Sequence, residues 1–228
     1  MAYYALVPAG GSGARYGAPT PKQYLLLNGR PVLSHALGRL QAFFPLRRLY
    51  VAVAADDRHA EDAIGIEPAV EVMRCGGATR AQTVHNALER MTGVDDDDWI
   101  VVHDAVRPCL DVSAAQRLQR ELDGDAVGGF LAVPVTDTLK RLDDAARVLR
   151  TESRDGLWRA QTPQMFRCGV LRRAFAAATL RAWTDEAHAV EALGLRPRVV
   201  VGSATNVKIT FPDDLALAAA ILAADARP

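Results

Sequence analysis

The sequence predicts an α/β fold, a single three-layer α/β/α domain over residues 1–228 with a mostly parallel, Rossmann-like sheet. Short apolar runs rich in valine alternate along the chain with segments of helical periodicity, which is typical of strands joined by crossover helices. The 228 residues can bury one substantial core, and no linker or internal repeat divides them.

The predicted strands in the first half of the chain are residues 3–7, 49–54, 70–73 and 99–102. The first strand ends in a glycine-rich loop, after which Pro31 opens an amphipathic helix. A second helix is predicted around 84–91, and Ser113 is expected to cap a third. Ligands of such sheets bind beyond the carboxyl ends of the strands, so polar residues after the first, third and fourth strands should converge on one crevice.

The second half begins with a predicted strand at 126–135. The segment 136–158 is polar and lacks helical periodicity, so we predict an extended β-arm that could serve as a subdomain for dimerisation. The elements predicted after the arm are helices at 170–180 and 184–193, a strand at 199–201 and an alanine-rich helix after Pro212.

The composition disfavours several classes of function. The 27 Lys and Arg residues balance the 27 Asp and Glu residues, and no basic run supplies an electrostatic footprint for nucleic acid. No apolar stretch approaches the ~20 residues of a membrane span. The N-terminus also lacks a basic leader. We therefore expect a cytoplasmic protein without a nucleic-acid or membrane partner.

Two other features indicate structure rather than metal chemistry. Cys75, Cys109 and Cys168 lie far apart and without metal-ligand spacing, so we expect small buried hydrophobic side chains and no disulfide. Four consecutive acids at 95–98 precede a strand. Because four successive side chains cannot all face one ion, a solvated turn is expected there.

The loop after the first strand predicts a phosphate site, although such a loop can also be no more than a tight turn. Its glycines, Gly10, Gly11 and Gly13, allow backbone N–H groups to approach an anion closely. Arg15 and Lys22 add two cations to the same long loop. The third glycine of the dinucleotide pattern and the Gly-Lys-Ser/Thr of a nucleoside-triphosphate P-loop are both missing, which disfavours hydride transfer and ATP hydrolysis.

Four segments together resemble one family. The glycine loop and residues 76–80, 103–108 and 206–208 are similar, in sequence and in order, to the motifs of 2-C-methyl-D-erythritol 4-phosphate cytidylyltransferases, across essentially the whole chain. The resemblance implies a domain of nucleotide-diphospho-sugar transferase type that forms a homodimer by arm exchange. It also implies that CTP and methylerythritol phosphate are the substrates, pyrophosphate is released and Mg²⁺ is the cofactor.

The same resemblance implies roles for individual residues. The catalytic cations around the α-phosphate would be Arg15, Lys22 and Lys208. The residues that would bind CTP are Ala9, Gly10, Gly11, Ser12, Gly13, Gly77, Arg80 and Thr83. Those that would bind the acceptor are Asp104, Arg107, Thr138, Thr162 and, from the partner's arm, Arg154. Asp104 could also orient a magnesium ion held mainly by the CTP phosphates.

Four positions depart from the family pattern. Thr83 stands where serine is usual, Gly10 and Val106 stand where alanine is common, and Ala78 stands where an acid is common. These departures bear on the base pocket rather than on the reaction. The alternative acceptor is ribitol 5-phosphate, used by enzymes with a shared fold. The alternative of another class is a non-catalytic nucleotide-binding domain.

The implied reaction needs no general base. A phosphate monoester has a second pKa near ~6 and is largely a dianion at neutral pH, so positioning and charge neutralisation must supply the catalysis. His103 is accordingly expected to be a packed structural residue, because strand alternation directs it away from the face of Asp104.

Overall fold

The computed structural model describes residues 1–11, 20–176 and 183–225. Within these ranges the strands are β1 (Tyr3–Pro8), β2 (Leu26–Leu27), β3 (Arg30–Pro31), β4 (Leu46–Val53), β5 (Val70–Arg74), β6 (Trp99–Val102), β7 (Gly128–Pro134), β8 (Leu139–Leu142), β9 (Val148–Glu152), β10 (Trp158–Arg167) and β11 (Arg198–Val201). The helices are α1 (Val32–Phe43), α2 (Ala60–Ile64), α3 (Arg80–Arg90), α4 (Val112–Leu122), α5 (Cys168–Ala176), α6 (Glu186–Glu191) and α7 (Pro212–Asp225).

Seven strands form the central sheet, in the order β11, β7, β10, β6, β1, β4 and β5. The pairs β1–β4, β1–β6, β4–β5 and β7–β11 are parallel, whereas β10 is antiparallel to both of its neighbours. The mostly parallel sheet is therefore confirmed. Its parallel strands end at the same edge, which brings the loops after β1, β5 and β6 together.

Helices cover both faces of the sheet, as predicted for a three-layer domain. Leu6 and Val102 belong to the core on one face, which includes side chains of α3, α5 and α6. Val7 and Val101 belong to the core on the other face, which includes side chains of α1 and α4. Successive strand residues point to opposite faces, so one valine-rich run supplies both cores.

A smaller cluster under α7 fixes the segment that carries Lys208. Val106, Ile209 and Ala218 are buried together in this cluster. The backbone N–H of Ile209 donates to the carbonyl of Val106 at 2.9 Å. The segment that follows β11 is thereby docked against the loop that follows β6.

Two local predictions need correction. β10 is not among the predicted strands, and it contains Pro163, a residue that cannot donate to a ladder and is rare in a central strand. The structure accommodates it where the register with β7 shifts, between Ala160 and Gln164. Helix α4 is capped by Asp111, whose carboxylate accepts from the N–H of Ala114 at 2.8 Å, and not by Ser113, which lies inside the helix. Residues 177–180 of another predicted helix lie outside the described ranges.

The acidic run at 95–98 is only partly the solvated turn that was predicted. Asp98 is 5% exposed, while the three acids before it are exposed. The Asp98 carboxylate accepts from the backbone N–H of Ala2 at 2.6 Å and from that of Asp95 at 3.0 Å. This acid therefore ties the start of the chain to the turn that enters β6.

The predicted arm segment contains a hairpin. β8 and β9 pair in antiparallel fashion and form a two-stranded sheet of their own. Its surface is less polar than the sequence suggested, because Leu142, Val148 and Leu149 are 49%, 60% and 61% exposed. The hairpin therefore presents apolar side chains that its own chain does not cover.

Three further observations concern the described residues. None of their helices is long and apolar enough to cross a bilayer. Cys75, Cys109 and Cys168 are buried free thiols, as predicted. No group of three or more His, Cys, Asp or Glu side chains in this part of the chain is arranged to hold a metal ion.

Replacing Asp98 by Ala should lower the free energy of unfolding by about 2 kcal/mol, because two backbone N–H donors lose their buried acceptor. Urea denaturation followed by circular dichroism measures the change. The exposed neighbour Asp97 provides the control, and Asp97→Ala should shift stability by less than about 0.5 kcal/mol. Similar changes in the free energy of unfolding for the two variants would show that the buried Asp98 carboxylate does not contribute to stability.

Candidate functional site

A cavity of about 490 Å³ lies beyond the carboxyl ends of β1, β5 and β6. It brings together predicted residues from four separate segments of the chain, namely Ala9, Gly10, Gly11, Lys22, Gly77, Arg80, Thr83, Asp104 and Lys208. The convergence expected from the sequence is therefore present among the described residues.

A second cavity, of about 180 Å³, shares part of its wall with the first. Arg80, Asp104 and Lys208 line both cavities, whereas Arg107 and Thr162 line only the smaller one. The residues expected to bind the nucleotide and those expected to bind the acceptor thus surround neighbouring spaces, with one charged cluster between them.

Gln23 holds the start of the glycine loop. Its Nε2 donates to the carbonyls of Ala9 at 2.8 Å and Gly11 at 3.2 Å, and the side chain is buried. The N–H of Ala9 donates to the carbonyl of Ala52 at 2.7 Å, which ties the loop to β4. Sequence reasoning missed Gln23, because only its position next to Lys22 pointed to it.

Thr83 fixes the opposite wall, on helix α3. Its hydroxyl donates to the carbonyl of Thr79 and accepts from the N–H of Gly77, both at 3.0 Å. A Cβ on Gly10 would lie 3.4 Å from Thr83 Oγ1. Two of the departures from the family pattern, at positions 10 and 83, therefore lie against each other.

The Asp104 carboxylate is surrounded by three cations. Oδ1 lies 3.2 Å from Arg80 Nε, while Oδ2 lies 2.8 Å from Lys208 Nζ and 3.3 Å from Arg107 Nε. Burial alone would raise the pKa of Asp104, but the three positive charges outweigh it and hold that pKa well below its usual range. Asp104 is therefore ionised and organises the cluster.

Arg80 is held from its other side by Glu186, at the start of helix α6. Its Nη1 and Nη2 donate to the two Glu186 oxygens at 2.6 and 3.0 Å, and the glutamate is fully buried. Burial lowers the pKa of Arg80, but Glu186 and Asp104 outweigh it and raise that pKa. Sequence reasoning did not find Glu186, whose only signal was an acid beside the Asp185 helix cap.

Arg107 and Thr162 are buried, and each is held by hydrogen bonds to other residues of the chain. Arg107 Nη1 donates to the carbonyl of Asn206 at 2.7 Å, and Asn206 Nδ2 donates to the carbonyl of Thr162 at 2.8 Å. The Thr162 hydroxyl accepts from the N–H of Asp104 at 3.0 Å. His103 is fully buried beside them, as expected of a packed residue.

The remaining predicted residues are more scattered. Lys22 Nζ donates to the carbonyl of Ile209 at 2.8 Å and lines the larger cavity. Thr138 and Arg154 are exposed and line neither of the two cavities, and Arg154 Nη1 donates to the carbonyl of Thr136. The three predicted residues that lie outside the described ranges are Ser12, Gly13 and Arg15.

Comparisons with known proteins agree over nearly the whole chain. A family model described as IspD, 2-C-methyl-D-erythritol 4-phosphate cytidylyltransferase, matches residues 3–224. Proteins of that name from Dechloromonas aromatica (strain RCB) and Chromobacterium violaceum are 53% identical over 227 residues and 52% identical over 220 residues. These matches cover 97% and 96% of this chain and 98% and 97% of the relatives.

Solved structures give the same result. A crystal structure of 4-diphosphocytidyl-2C-methyl-D-erythritol synthase matches with a TM-score of 0.86 and 39% identity, covering 97% of this chain and 99% of that one. The Francisella tularensis 2-C-methyl-D-erythritol 4-phosphate cytidylyltransferase matches with a TM-score of 0.83 and 33% identity, covering 97% of this chain and 100% of that one.

Replacing Asp104 by Asn removes the negative charge that Arg80, Arg107 and Lys208 share. Because one buried partner of an ion cluster is lost, we expect the free energy of unfolding to fall by about 3 kcal/mol. Inorganic phosphate should stabilise this variant more than the wild type, since an anion can take the place of the carboxylate. Thermal unfolding with and without phosphate measures both effects. Asp97→Asn is the control, and a variant as stable as the wild type would contradict the shared-charge arrangement.

Proposed function

The chain belongs to the 2-C-methyl-D-erythritol 4-phosphate cytidylyltransferase family, and on that premise we propose how the residues around its two cavities act. It is a nucleotidyltransferase that transfers CMP from CTP to 2-C-methyl-D-erythritol 4-phosphate, in the non-mevalonate route to isoprenoid precursors. The products are 4-diphosphocytidyl-2-C-methyl-D-erythritol and pyrophosphate. The observation that carries this assignment is the match of the family model to residues 3–224.

We assign CTP to the larger cavity. Ala9, Gly10, Gly77 and Thr83 line it, and donors and acceptors fixed on the backbone and on the Thr83 hydroxyl would discriminate cytosine from uracil. Lys22 lines the same cavity, where its ammonium group would neutralise charge on the triphosphate. The family resemblance adds three residues to the triphosphate site, namely Ser12, Gly13 and Arg15.

The proposed chemical step is an in-line displacement at the α-phosphorus of CTP. An oxygen of the acceptor phosphate forms the new P–O bond, and the bond to the bridging oxygen breaks with its electron pair on the departing pyrophosphate. The acceptor phosphate is largely a dianion above its second pKa of ~6, so no residue has to remove a proton.

The charged cluster supports this step electrostatically. Three cations, Arg80, Arg107 and Lys208, face two carboxylates, Asp104 and Glu186, which leaves one net positive charge. Arg80, Asp104 and Lys208 lie in the wall that the two cavities share, and Arg107 lines the smaller cavity beside them. Fixed positive charge at this place would stabilise the negative charge that accumulates when the two phosphates meet.

Magnesium would enter this site with the nucleotide. Asp104 is the one carboxylate among the described residues that line the larger cavity, and both of its oxygens are already ion-paired. Magnesium commonly takes most of its ligands from substrate phosphates and water, with one or two carboxylates. We therefore propose that the CTP phosphates hold most of the ion, with Asp104 as the protein group nearest to it. The bound ion would neutralise charge on those phosphates.

We assign the acceptor to the smaller cavity and propose that a second subunit completes it. Arg107 and Thr162 line this cavity, whereas Thr138 and Arg154 lie in or beside the hairpin of the arm. The exposed apolar side chains of the hairpin support a homodimer with arm exchange, because uncovered apolar surface favours association. In that dimer the arm of one subunit would bring its Arg154 to the acceptor phosphate of the other.

We also propose a cytoplasmic location. The three cysteines are buried free thiols, which fits a reducing compartment. Both proposed substrates are highly charged phosphates that do not cross membranes unaided, so the enzyme would meet them where they are made.

Purified protein with magnesium and CTP should release pyrophosphate when methylerythritol phosphate is present and not when the acceptor is omitted. Replacing CTP by UTP should abolish most of the release, because uracil presents a different pattern of donors and acceptors. A coupled pyrophosphate assay measures the rates. A preference for ribitol 5-phosphate would change the acceptor assignment, and no release with either acceptor would favour a non-catalytic nucleotide-binding domain.

Arg154→Ala should raise the KM for the acceptor and leave CTP binding intact. Mixing Arg154→Ala with Arg107→Ala should restore activity, because a mixed dimer can form one site in which both arginines are intact. The restored activity is measured against each variant alone. Arg196→Ala, a change at an exposed position, is the control and should by itself leave the KM for the acceptor and the turnover unchanged. Failure of the two arginine variants to complement would place the whole acceptor site within one chain.

A further inference from the structure

His103 lies between the end of β6 and Asp104, and it is fully buried. Both ring nitrogens have hydrogen-bond partners that belong to the acceptor side of the site. Nε2 lies 3.0 Å from the carbonyl oxygen of Arg107, and Nδ1 lies 3.0 Å from the hydroxyl of Thr162. The imidazole therefore contacts two residues that line the smaller cavity without lining it itself.

The partners determine which nitrogen carries the proton. A carbonyl oxygen can only accept, so Nε2 must be the protonated nitrogen. The ring is fully buried and both of its hydrogen-bond partners are uncharged, which favours the neutral form. Nδ1 of the neutral ring has a free lone pair and accepts from the Thr162 hydroxyl.

This tautomer fixes the direction of a continuous series of hydrogen bonds. The Thr162 hydroxyl, having donated to His103, accepts from the backbone N–H of Asp104 at 3.0 Å. His103 Nε2–H in turn holds the carbonyl of Arg107. One buried ring therefore restrains the backbone on both sides of the 104–107 turn and the side chain of Thr162.

These restraints act on the residues around the smaller cavity, to which we assign the acceptor. Asp104 and Arg107 belong to the charged cluster, and their side chains can meet at 3.3 Å only if the turn between them keeps its shape. The groups assigned to cytosine, on the glycine loop and helix α3, have no hydrogen bond to His103 among those described. A change at His103 should therefore affect the two substrates differently.

We propose that His103 is a positioning residue for acceptor binding, acting through the Thr162 hydroxyl and the backbone of Arg107. The inference rests on the proposed function of the smaller cavity. His103 does not transfer a proton in the reaction, since no atom of it reaches either cavity.

Steady-state kinetics with His103→Phe, which keeps a ring and loses both hydrogen bonds, tests the proposal. We expect the KM for methylerythritol phosphate to rise roughly tenfold, while the KM for CTP stays within about twofold. His103→Asn can place an acceptor near the position of Nδ1, so it should recover part of the loss. Ile100→Val, a buried change in the preceding strand β6, is the control for stability and should leave both KM values unchanged.

Equal effects of His103→Phe on both KM values, or no recovery in His103→Asn, would overturn the proposal. Nitrogen NMR of the labelled wild-type ring gives a second reading that needs neither a variant nor activity. A pyrrole-like Nε2 and a pyridine-like Nδ1 are expected, and the reverse pattern would contradict the inference. A wild type that is inactive with every acceptor would instead refute the proposed function, and the NMR result would still decide the hydrogen-bond arrangement.

Discussion

The site depends on one buried carboxylate. Arg80, Arg107 and Lys208 come from helix α3, the turn after β6 and the segment after β11, and all three meet at Asp104. Cations brought this close would repel one another without an anion between them. Asp104 therefore allows positive charge to be concentrated before any substrate is bound. Transfer between two phosphates needs positive charge that is already in place.

The fold explains why these segments can meet. The strands β1, β4, β5 and β6 run in one direction, so their following loops collect at one edge of the sheet. β10 runs the other way, and its first half delivers Thr162 to the same edge, beside the residues that follow Val102. The cluster under α7 brings in Lys208. Positions far apart in the chain thus reach one site through ordinary α/β topology.

Local patterns in the sequence were sufficient to predict most strands of the sheet and many residues of the site. Valine-rich runs predicted the parallel strands, the end of the strand at 99–102 pointed to Asp104, and the family resemblance pointed to Lys208. β10 was not predicted; it contains Pro163, which interrupts the usual strand pattern and lies where the register with β7 shifts. Glu186 was missed for another reason. It reaches Arg80 from 106 residues away, and only packing decides which acid of a helix start becomes buried.

The chemistry also explains how a buried histidine can occur in a site without catalysing the reaction. An acceptor phosphate that is already ionised leaves no proton to be removed, so a basic imidazole has no task at the reacting atoms. The reaction still requires charged groups that are held in precise positions. A buried neutral imidazole, with one donor and one acceptor, can hold neighbouring groups in place by hydrogen bonds. His103 joins Asp104, Arg107 and Thr162 in this way. A reaction that depends on position rather than on proton transfer selects for such a residue behind the site.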